Sequence, residues 1–273
     1  MRKISLLLLL LALTACSRSP ADSGSSGSGG GTFVLASTTS TQDSGLLDAL
    51  TAEFEKDHPW RVKVVAVGSG EALDLGRRGD ADVLLVHSPD SEKQFMDEGL
   101  GVYRKPVMRN DFVIAGPSSD PAGITGGTQA IEAFRRIAET QSLFISRGDE
   151  SGTHTRELKT WKSAAIEPQG EWYSESGQGM AETLLIASER GAYVLTDTAT
   201  PKVMTGKIGL KILVDGDPAL INQYSVITLK KARKPEAGEA LAKWIVGPSG
   251  QTFIGRFGVE RYGAPLFVPN AEP

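Results

Sequence analysis

The 273-residue sequence is poor in the residues that redox and metal chemistry require. Cys16 is the only cysteine, and none of the three histidines stands at a spacing that suits a metal ion. The sequence also lacks GxxxxGK[ST], HExxH and GxSxG, which mark nucleotide-binding P-loops, zinc peptidases and serine hydrolases. We therefore expect no disulfide, no metal centre and no cofactor.

Charge and hydropathy argue against two further classes of protein. The chain has 29 basic and 33 acidic side chains, and its net charge of −4 argues against nucleic acid as a partner. Beyond the amino-terminal leader, no apolar run is long enough to cross a bilayer. The length suits one large domain or two of medium size.

The amino terminus has the pattern of a processed leader. Arg2 and Lys3 precede a leucine-rich run at 6–13, which is too short to span a membrane and predicts a signal peptide over residues 1–15. The run ends in Leu-Thr-Ala-Cys, which resembles a bacterial lipobox. Cys16 is therefore the predicted site of lipidation, and a free thiol in a discarded leader is the alternative.

Residues 16–31 are rich in serine and glycine, which predicts a lipidated, flexible tether. Acyl chains on Cys16 would hold the protein at the cell membrane without spanning it. The predicted location is extracytoplasmic, on the periplasmic face in a host with two membranes. Ser17 rather than an acidic residue follows the cysteine, so the membrane that holds the anchor in such a host stays open.

The remaining chain alternates β-prone runs with amphipathic patterns, which predicts an α/β fold. A strand at 32–36 precedes a helix with Leu50 and Phe54 on one face, and valines at 62–67 predict a second strand. This alternation continues to the carboxyl terminus. It is typical of mostly parallel sheets with helices on both faces, and the length fits two sheets better than one.

Three stretches at predicted strand ends share hydroxyl side chains or glycines and a helix start. They are 37–41, 67–70 and 146–153. In open α/β sheets, ligands bind beyond such strand ends, where unpaired N–H groups and a positive dipole end meet them. Hydroxyl donors with the single guanidinium of Arg147 suit a small, fully ionised, tetrahedral oxyanion. Capping would explain any one stretch, but the five hydroxyls at 37–41 exceed what a cap requires and predict a donor cradle.

Five motifs occur in order after the tether. They are STTSTQDSGLL, VGSGEALDLGRRGDADVLLVHSP, RNDFVIAGP, FISRGDESGTHTRE and YVLTD. Together they closely resemble the tungstate-binding proteins of bacterial ABC uptake systems, from about Phe33 to Thr198 and more weakly beyond. The SGT element by itself is also similar to phosphate-binding proteins.

The resemblance implies a two-lobed periplasmic-binding-protein-like class II fold with a ligand cleft between the lobes. One lobe would hold residues 32–112 and 222–273, and the other would hold 113–221. Strands at 107–115 and 224–229 would carry the two crossings between lobes. The lobes would close over the ligand by hinge motion.

The resemblance also implies a ligand, partners and site residues. The ligand would be tungstate, with molybdate second, and an ABC permease with its ATPase would receive it. We expect a monomer without enzymatic activity. The implied ligand-binding residues are Thr38, Thr39 and Ser69 on one lobe and Arg147, Ser151, Gly152 and Thr153 on the other.

A phosphate-binding transport protein is the first alternative. Hydrogen phosphate carries a proton and needs an acceptor in the site, for which Asp149 and Asp197 are the candidates. We expect instead that Asp149 orients Arg147 and that Asp197 bonds to backbone N–H groups.

Two alternatives come from other classes. A phosphate-ester hydrolase would need a nucleophile such as Ser69 or Ser151 with His154 as its base, and nothing in the sequence singles out an acid to orient that histidine. A surface adhesin is suggested only by the Arg-Gly-Asp tripeptide at 147–149, and it would leave the other two hydroxyl stretches unexplained.

Overall fold

The computed structural model describes residues 30–271, so the predicted signal peptide, Cys16 and most of the tether lie outside the described residues. The strands are β1 (Thr32–Thr38), β2 (Arg61–Val67), β3 (Val83–Val86), β4 (Gly101–Gly116), β5 (Phe144–Ser146), β6 (Tyr173–Glu175), β7 (Val194–Asp197), β8 (Lys211–Val214), β9 (Ile221–Leu229) and β10 (Val268–Pro269). The helices are α1 (Thr39–Asp43), α2 (Leu46–Asp57), α3 (Ser69–Arg78), α4 (Pro89–Asp97), α5 (Ala130–Glu139), α6 (Gly152–Ser163), α7 (Met180–Arg190), α8 (Ala199–Val203), α9 (Pro235–Val246), α10 (Pro248–Arg256) and α11 (Val259–Tyr262). A 3₁₀ turn, Pro218–Leu220, precedes β9.

The strands form two sheets that share β4. The first sheet has the order β10-β4-β9-β3-β1-β2, in which β1 is parallel to β2 and β3 while β9 is antiparallel to β3 and β4. The carboxyl-terminal part of β4 pairs antiparallel with β7 and β8 in the second sheet. β5 and β6 form a parallel pair that is bridged to the residue before β7.

The sheets are mixed, so the expectation of mostly parallel sheets is wrong in this respect. β4 is 16 residues long and begins before the predicted strand at 107–115. β4 and β9 run in opposite directions and pair as antiparallel strands. An alternating βαβ pattern predicts parallel neighbours but does not show where a long strand passes from one sheet to the next.

Buried apolar side chains form separate cores around the two sheets. Phe33 and Leu50 lie in the core of the first sheet, and Phe134 and Trp161 lie in the core of the second. Ala199 at the start of α8 falls in the range expected for the second lobe but packs in the first core. Separate cores allow each half to stay folded when the two move relative to each other. No helix within residues 30–271 has the length and apolar character to cross a membrane.

Glu157 is a carboxyl group buried beneath the second core. It lies on α6 one turn after Thr153 and is 1% exposed. Its Oε1 accepts hydrogen bonds from Trp161 Nε1 at 3.0 Å and from the Tyr173 hydroxyl at 2.8 Å. Burial outweighs these bonds and raises the pKa of Glu157 to about 7.

The raised pKa of Glu157 predicts a pH-dependent stability. Between the ordinary pKa of a glutamate and pH 7, the unfolded chain releases the proton while the folded protein keeps it, so this contribution to stability is lost as pH rises. We expect the free energy of unfolding to fall by about 3 kcal/mol more in the parent than in Glu157→Gln between pH 4.5 and 8. Chemical denaturation at several pH values measures this difference, and the exposed Glu132→Gln should keep the slope of the parent. Equal slopes for the parent and Glu157→Gln would contradict the prediction.

Candidate functional site

Four segments of the chain meet where the two sheets adjoin. The hydroxyl-rich segment enters α1 and the loop at Gly68 enters α3, and both come from the first sheet. The loop at 147–151 and the start of α7 face them from the other side, where they follow the paired strands β5 and β6. A Cβ atom on Gly68 would lie 3.4 Å from the Asp149 carbonyl oxygen, so the two sides are in contact. We call the space between these four segments the cleft.

Arg147 connects the two sides of the cleft. It is 2% exposed, and its Nη2 donates to Thr39 Oγ1 on the opposite side at 3.1 Å. The same nitrogen is paired with the Asp149 carboxylate, and Nε donates to the Gln178 carbonyl oxygen at 3.3 Å. A guanidinium that would be costly to bury alone is therefore held in one orientation by partners from both sides.

The two aspartates considered from the sequence have the expected roles. Asp149 pairs with Arg147, and its Oδ1 accepts from Ser151 N at 3.2 Å. Asp197 Oδ1 accepts from the backbone N–H groups of Ala199 at 2.8 Å and Thr200 at 2.9 Å. Both carboxylates are thus already engaged by donors of the protein. Among residues 30–271, no group of histidine, cysteine and acidic side chains is placed to hold a metal ion.

The hydroxyl-rich segment divides into structural and cleft-facing side chains. Ser37 Oγ donates to the Leu85 carbonyl oxygen at 2.7 Å and so joins β1 to β3. Thr38 Oγ1 lies 2.7 Å from Thr41 Oγ1 and 3.3 Å from Ser40 Oγ, and all three residues are buried. The expectation that all five hydroxyls form a donor cradle is therefore wrong for Ser37, whose hydrogen is used by a neighbouring strand.

Two of the expected ligand hydroxyls are buried without a hydrogen-bond partner in the part of the chain that the structure describes. They are Ser69 Oγ at the start of α3 and Thr153 Oγ1 in the first turn of α6. Ser151, by contrast, is the N-cap of α6, and its Oγ accepts from His154 N at 3.2 Å. Buried hydroxyls normally have partners, so Ser69 and Thr153 are the groups that a bound acceptor would satisfy.

His87 lines the same cleft and was not among the expected site residues. It is 4% exposed and stacks on Tyr224 with ring centroids 4.7 Å apart. Burial, with the charge of Arg147 nearby, lowers its pKa to about 4, so the imidazole is neutral at pH 7. A Cβ atom on Gly152 would lie 2.8 Å from His87 Cε1, which makes the approach of α6 dependent on glycine.

The start of α7 is the second feature that the sequence analysis missed. Asp43 at the end of α1 accepts from Ala181 N at 3.4 Å across the cleft. Burial and the neighbouring Glu182 raise the pKa of Asp43. The Ser-Gly-Gln-Gly run at 176–179 could have indicated this segment, because it repeats the hydroxyl-and-glycine pattern of the other helix starts.

Comparison with known proteins identifies the family. A family model described as a PBP superfamily domain matches residues 19–249. The chain belongs to the PBP superfamily. It is 45% identical over 247 residues to the tungstate-binding protein TupA of Peptoclostridium acidaminophilum, which covers 88% of this chain and 86% of that relative.

Solved structures of this superfamily match the fold of the protein. The tungstate ABC transporter structure from Geobacter sulfurreducens is 45% identical with a TM-score of 0.76, and the match covers 83% of this chain and 98% of that chain. The tungstate binding protein TupA from Desulfovibrio alaskensis G20 is 43% identical with a TM-score of 0.72, and the match covers 88% of this chain and 99% of that chain. These matches confirm the resemblance and the two-lobed fold, and they place this PBP-superfamily protein in the TupA family.

The contact between Gly152 and His87 predicts that a larger side chain disrupts this protein. In Gly152→Ala the new Cβ would lie 2.8 Å from a buried ring, so α6 or His87 must move. We expect the free energy of unfolding to fall by about 1–3 kcal/mol, as overpacking usually costs. Chemical denaturation measures the change. Gly209→Ala is the control, because the new Cβ would lie 3.7 Å from its nearest neighbour, and its stability should stay within about 0.5 kcal/mol of the parent. Equal stability of the two variants would refute the tight contact between Gly152 and His87.

Proposed function

We propose that this protein captures tungstate outside the cytoplasm and passes it to an ABC permease with its ATPase, with molybdate as the second ligand. Relatives that are 43% and 45% identical over most of the chain support the proposal, because their names state tungstate binding or tungstate transport. The relatives are binding and transport proteins, and we propose no enzymatic role for this chain.

The observation that carries the proposal is a pair of unpartnered hydroxyls beside a buried guanidinium. Within the described residues, Ser69 Oγ on one side of the cleft and Thr153 Oγ1 on the other lack a hydrogen-bond partner. Arg147 is buried at the same boundary, where it contacts Thr39. A tetrahedral oxyanion offers acceptors in several directions, so it would complete these hydrogen bonds and could accept a charge-assisted one from Arg147.

The donor set favours an oxyanion without a proton. Hydrogen phosphate would need an acceptor, and the oxygens of Asp149 and Asp197 already accept from the protein. A further carboxylate buried against the ligand would be costly. The arrangement therefore supports tungstate or molybdate over phosphate, and the preference for tungstate rests on the relatives.

We propose that both lobes contribute to the site. Residues 32–112 with 222–273 would form one lobe, and 113–221 would form the other. Backbone N–H groups at the start of α6 would assist the side chains, because a helix start attracts anions. The proposed ligand-binding residues are Thr38, Thr39, Ser69, Arg147, Ser151, Gly152 and Thr153.

The proposed attachment to the cell follows from the leader. Cys16, after a signal peptide at 1–15, would carry acyl chains, and residues 16–31 would tether the domain at the membrane surface. We propose that the protein acts as a monomer, because each copy has its own cleft. Lipid analysis of the mature protein by mass spectrometry would test the anchor.

The function is tested by calorimetric titration of the purified protein with tungstate, molybdate, sulfate and phosphate in phosphate-free buffer. We expect tight binding of tungstate, binding of molybdate that is equal or weaker, and no heat from phosphate. Tight binding of phosphate would overturn the donor-only site and indicate a phosphate transport protein. Absence of heat with all of these anions would overturn the proposal and leave the hydroxyl groups as helix caps.

The unpartnered hydroxyl of Thr153 predicts opposite effects on affinity and on stability. Thr153→Val keeps the shape of the side chain and removes a bond to a charged ligand, so tungstate should bind at least about tenfold more weakly. The ligand-free variant should be as stable as the parent or more stable, since a buried hydroxyl without a partner is removed. Titration calorimetry and thermal unfolding measure the two quantities. Thr155→Val, on the exposed face of α6, is the control and should change neither tungstate affinity nor stability. An affinity of Thr153→Val equal to that of the parent would place the ligand elsewhere.

A further inference from the structure

Helix α1, the start of α7 and the Arg147 loop form a closed ring of contacts across the cleft. Arg147 Nη2 donates to Thr39 Oγ1 at 3.1 Å, and Arg147 Nε donates to the Gln178 carbonyl oxygen at 3.3 Å. Gln178 leads into α7, where Ala181 N donates to Asp43 Oδ2 at 3.4 Å. Thr39 and Asp43 are one turn apart on α1, so the ring returns to its starting helix.

Asp43 supplies a side-chain acceptor that the N-cap residue of α7 lacks. The N-cap of α7 is Gly179, which has no side chain to accept from the first N–H groups of the helix. A Cβ atom at Gly179 would lie 3.1 Å from Glu182 Oε2 in the first turn of α7, 3.9 Å from Asp43 Oδ2 and 3.9 Å from Thr39 Cβ. A carboxylate from the first side of the cleft therefore occupies the place of an N-cap for a helix on the second side.

Asp43 lies among groups that act on its ionised form in opposite directions. Burial, with the charges of Glu182 on α7 and Asp197 at the end of β7, raises the pKa of Asp43. The charge of Arg147 acts in the opposite direction. The positive end of the α7 dipole also favours a carboxylate at this position. The Asp43 side chain is partly buried between these groups.

We propose that Asp43 is a positioning residue that caps α7 from the opposite lobe and thereby holds Arg147 toward the ligand only when the lobes are together. The inference rests on the proposed function, because it assigns part of the oxyanion affinity to this contact. Hinge opening breaks the cap and exposes both partners to water, so the contact stabilises the closed, ligand-bound form and not the separate lobes.

The test compares two neutral variants of the full-length protein, so that a change of charge does not enter the comparison. Asp43→Asn keeps a side-chain acceptor for Ala181 N, and Asp43→Ala removes it. We expect Asp43→Ala to bind tungstate about tenfold more weakly than Asp43→Asn, which is the size of effect that loss of an N-cap produces. The unfolding temperatures of the two ligand-free variants should agree within about 2 °C, because the open form lacks the contact.

The outcomes separate this inference from the proposed function. Equal tungstate affinity of the two Asp43 variants, with tight binding by the parent, would overturn the cap and leave the function intact. A lower unfolding temperature of ligand-free Asp43→Ala that accounts for its weaker binding would show a structural role and also overturn the cap. Asp48→Ala, an exposed acidic position on α2, is the matched control and should bind tungstate like the parent. A parent that does not bind tungstate would refute the proposed function itself.

Discussion

The buried guanidinium of Arg147 is the constraint on which the rest of the site depends. A charge in a position that is 2% exposed needs several partners, and one loop provides only some of them. Asp149 comes from the same loop, whereas Thr39 comes from the other side of the cleft. The loop meets this demand with left-handed backbone at Gly148 and Glu150, where φ is 61° and 57°. A Cβ atom at Gly148 would also lie 2.6 Å from Glu175 Cβ, so glycine is required there on two grounds.

The path of the chain brings the partners of Arg147 together. β4 pairs with strands of both sheets, and β9 pairs with its first half, so the two halves are joined by long strands and not by flexible linkers. Each half keeps its own apolar core. Helix starts from both halves then face each other at the boundary, where their N–H groups and hydroxyls converge. The proposed site would therefore be complete only when the two halves approach.

Hydroxyl side chains of the same type have opposite roles in this cleft. Ser37 and Ser69 both follow predicted strands, yet Ser37 bonds to the next strand while Ser69 has no partner among the described residues. Ser151 and Thr153 stand two residues apart, and only Ser151 takes part in capping α6. Residue type and spacing thus indicate where donors gather. The position of the neighbouring backbone decides which donors remain for a ligand.

The sequence by itself determined the α/β class, most of the element order and the candidate donor stretches, because these depend on local periodicity and on side-chain chemistry. Strands β1 and β2 occur at the predicted positions, and Asp149 was expected to orient Arg147. Only the tertiary structure decided the antiparallel pairing of β4 and β9, the approach of His87 to Gly152 and the contact of Asp43 with α7. These features join segments that are far apart in the chain, and no local pattern records which of them will meet. Local preference is a property of a few neighbouring residues, whereas the cleft is a property of how two cores are placed against each other.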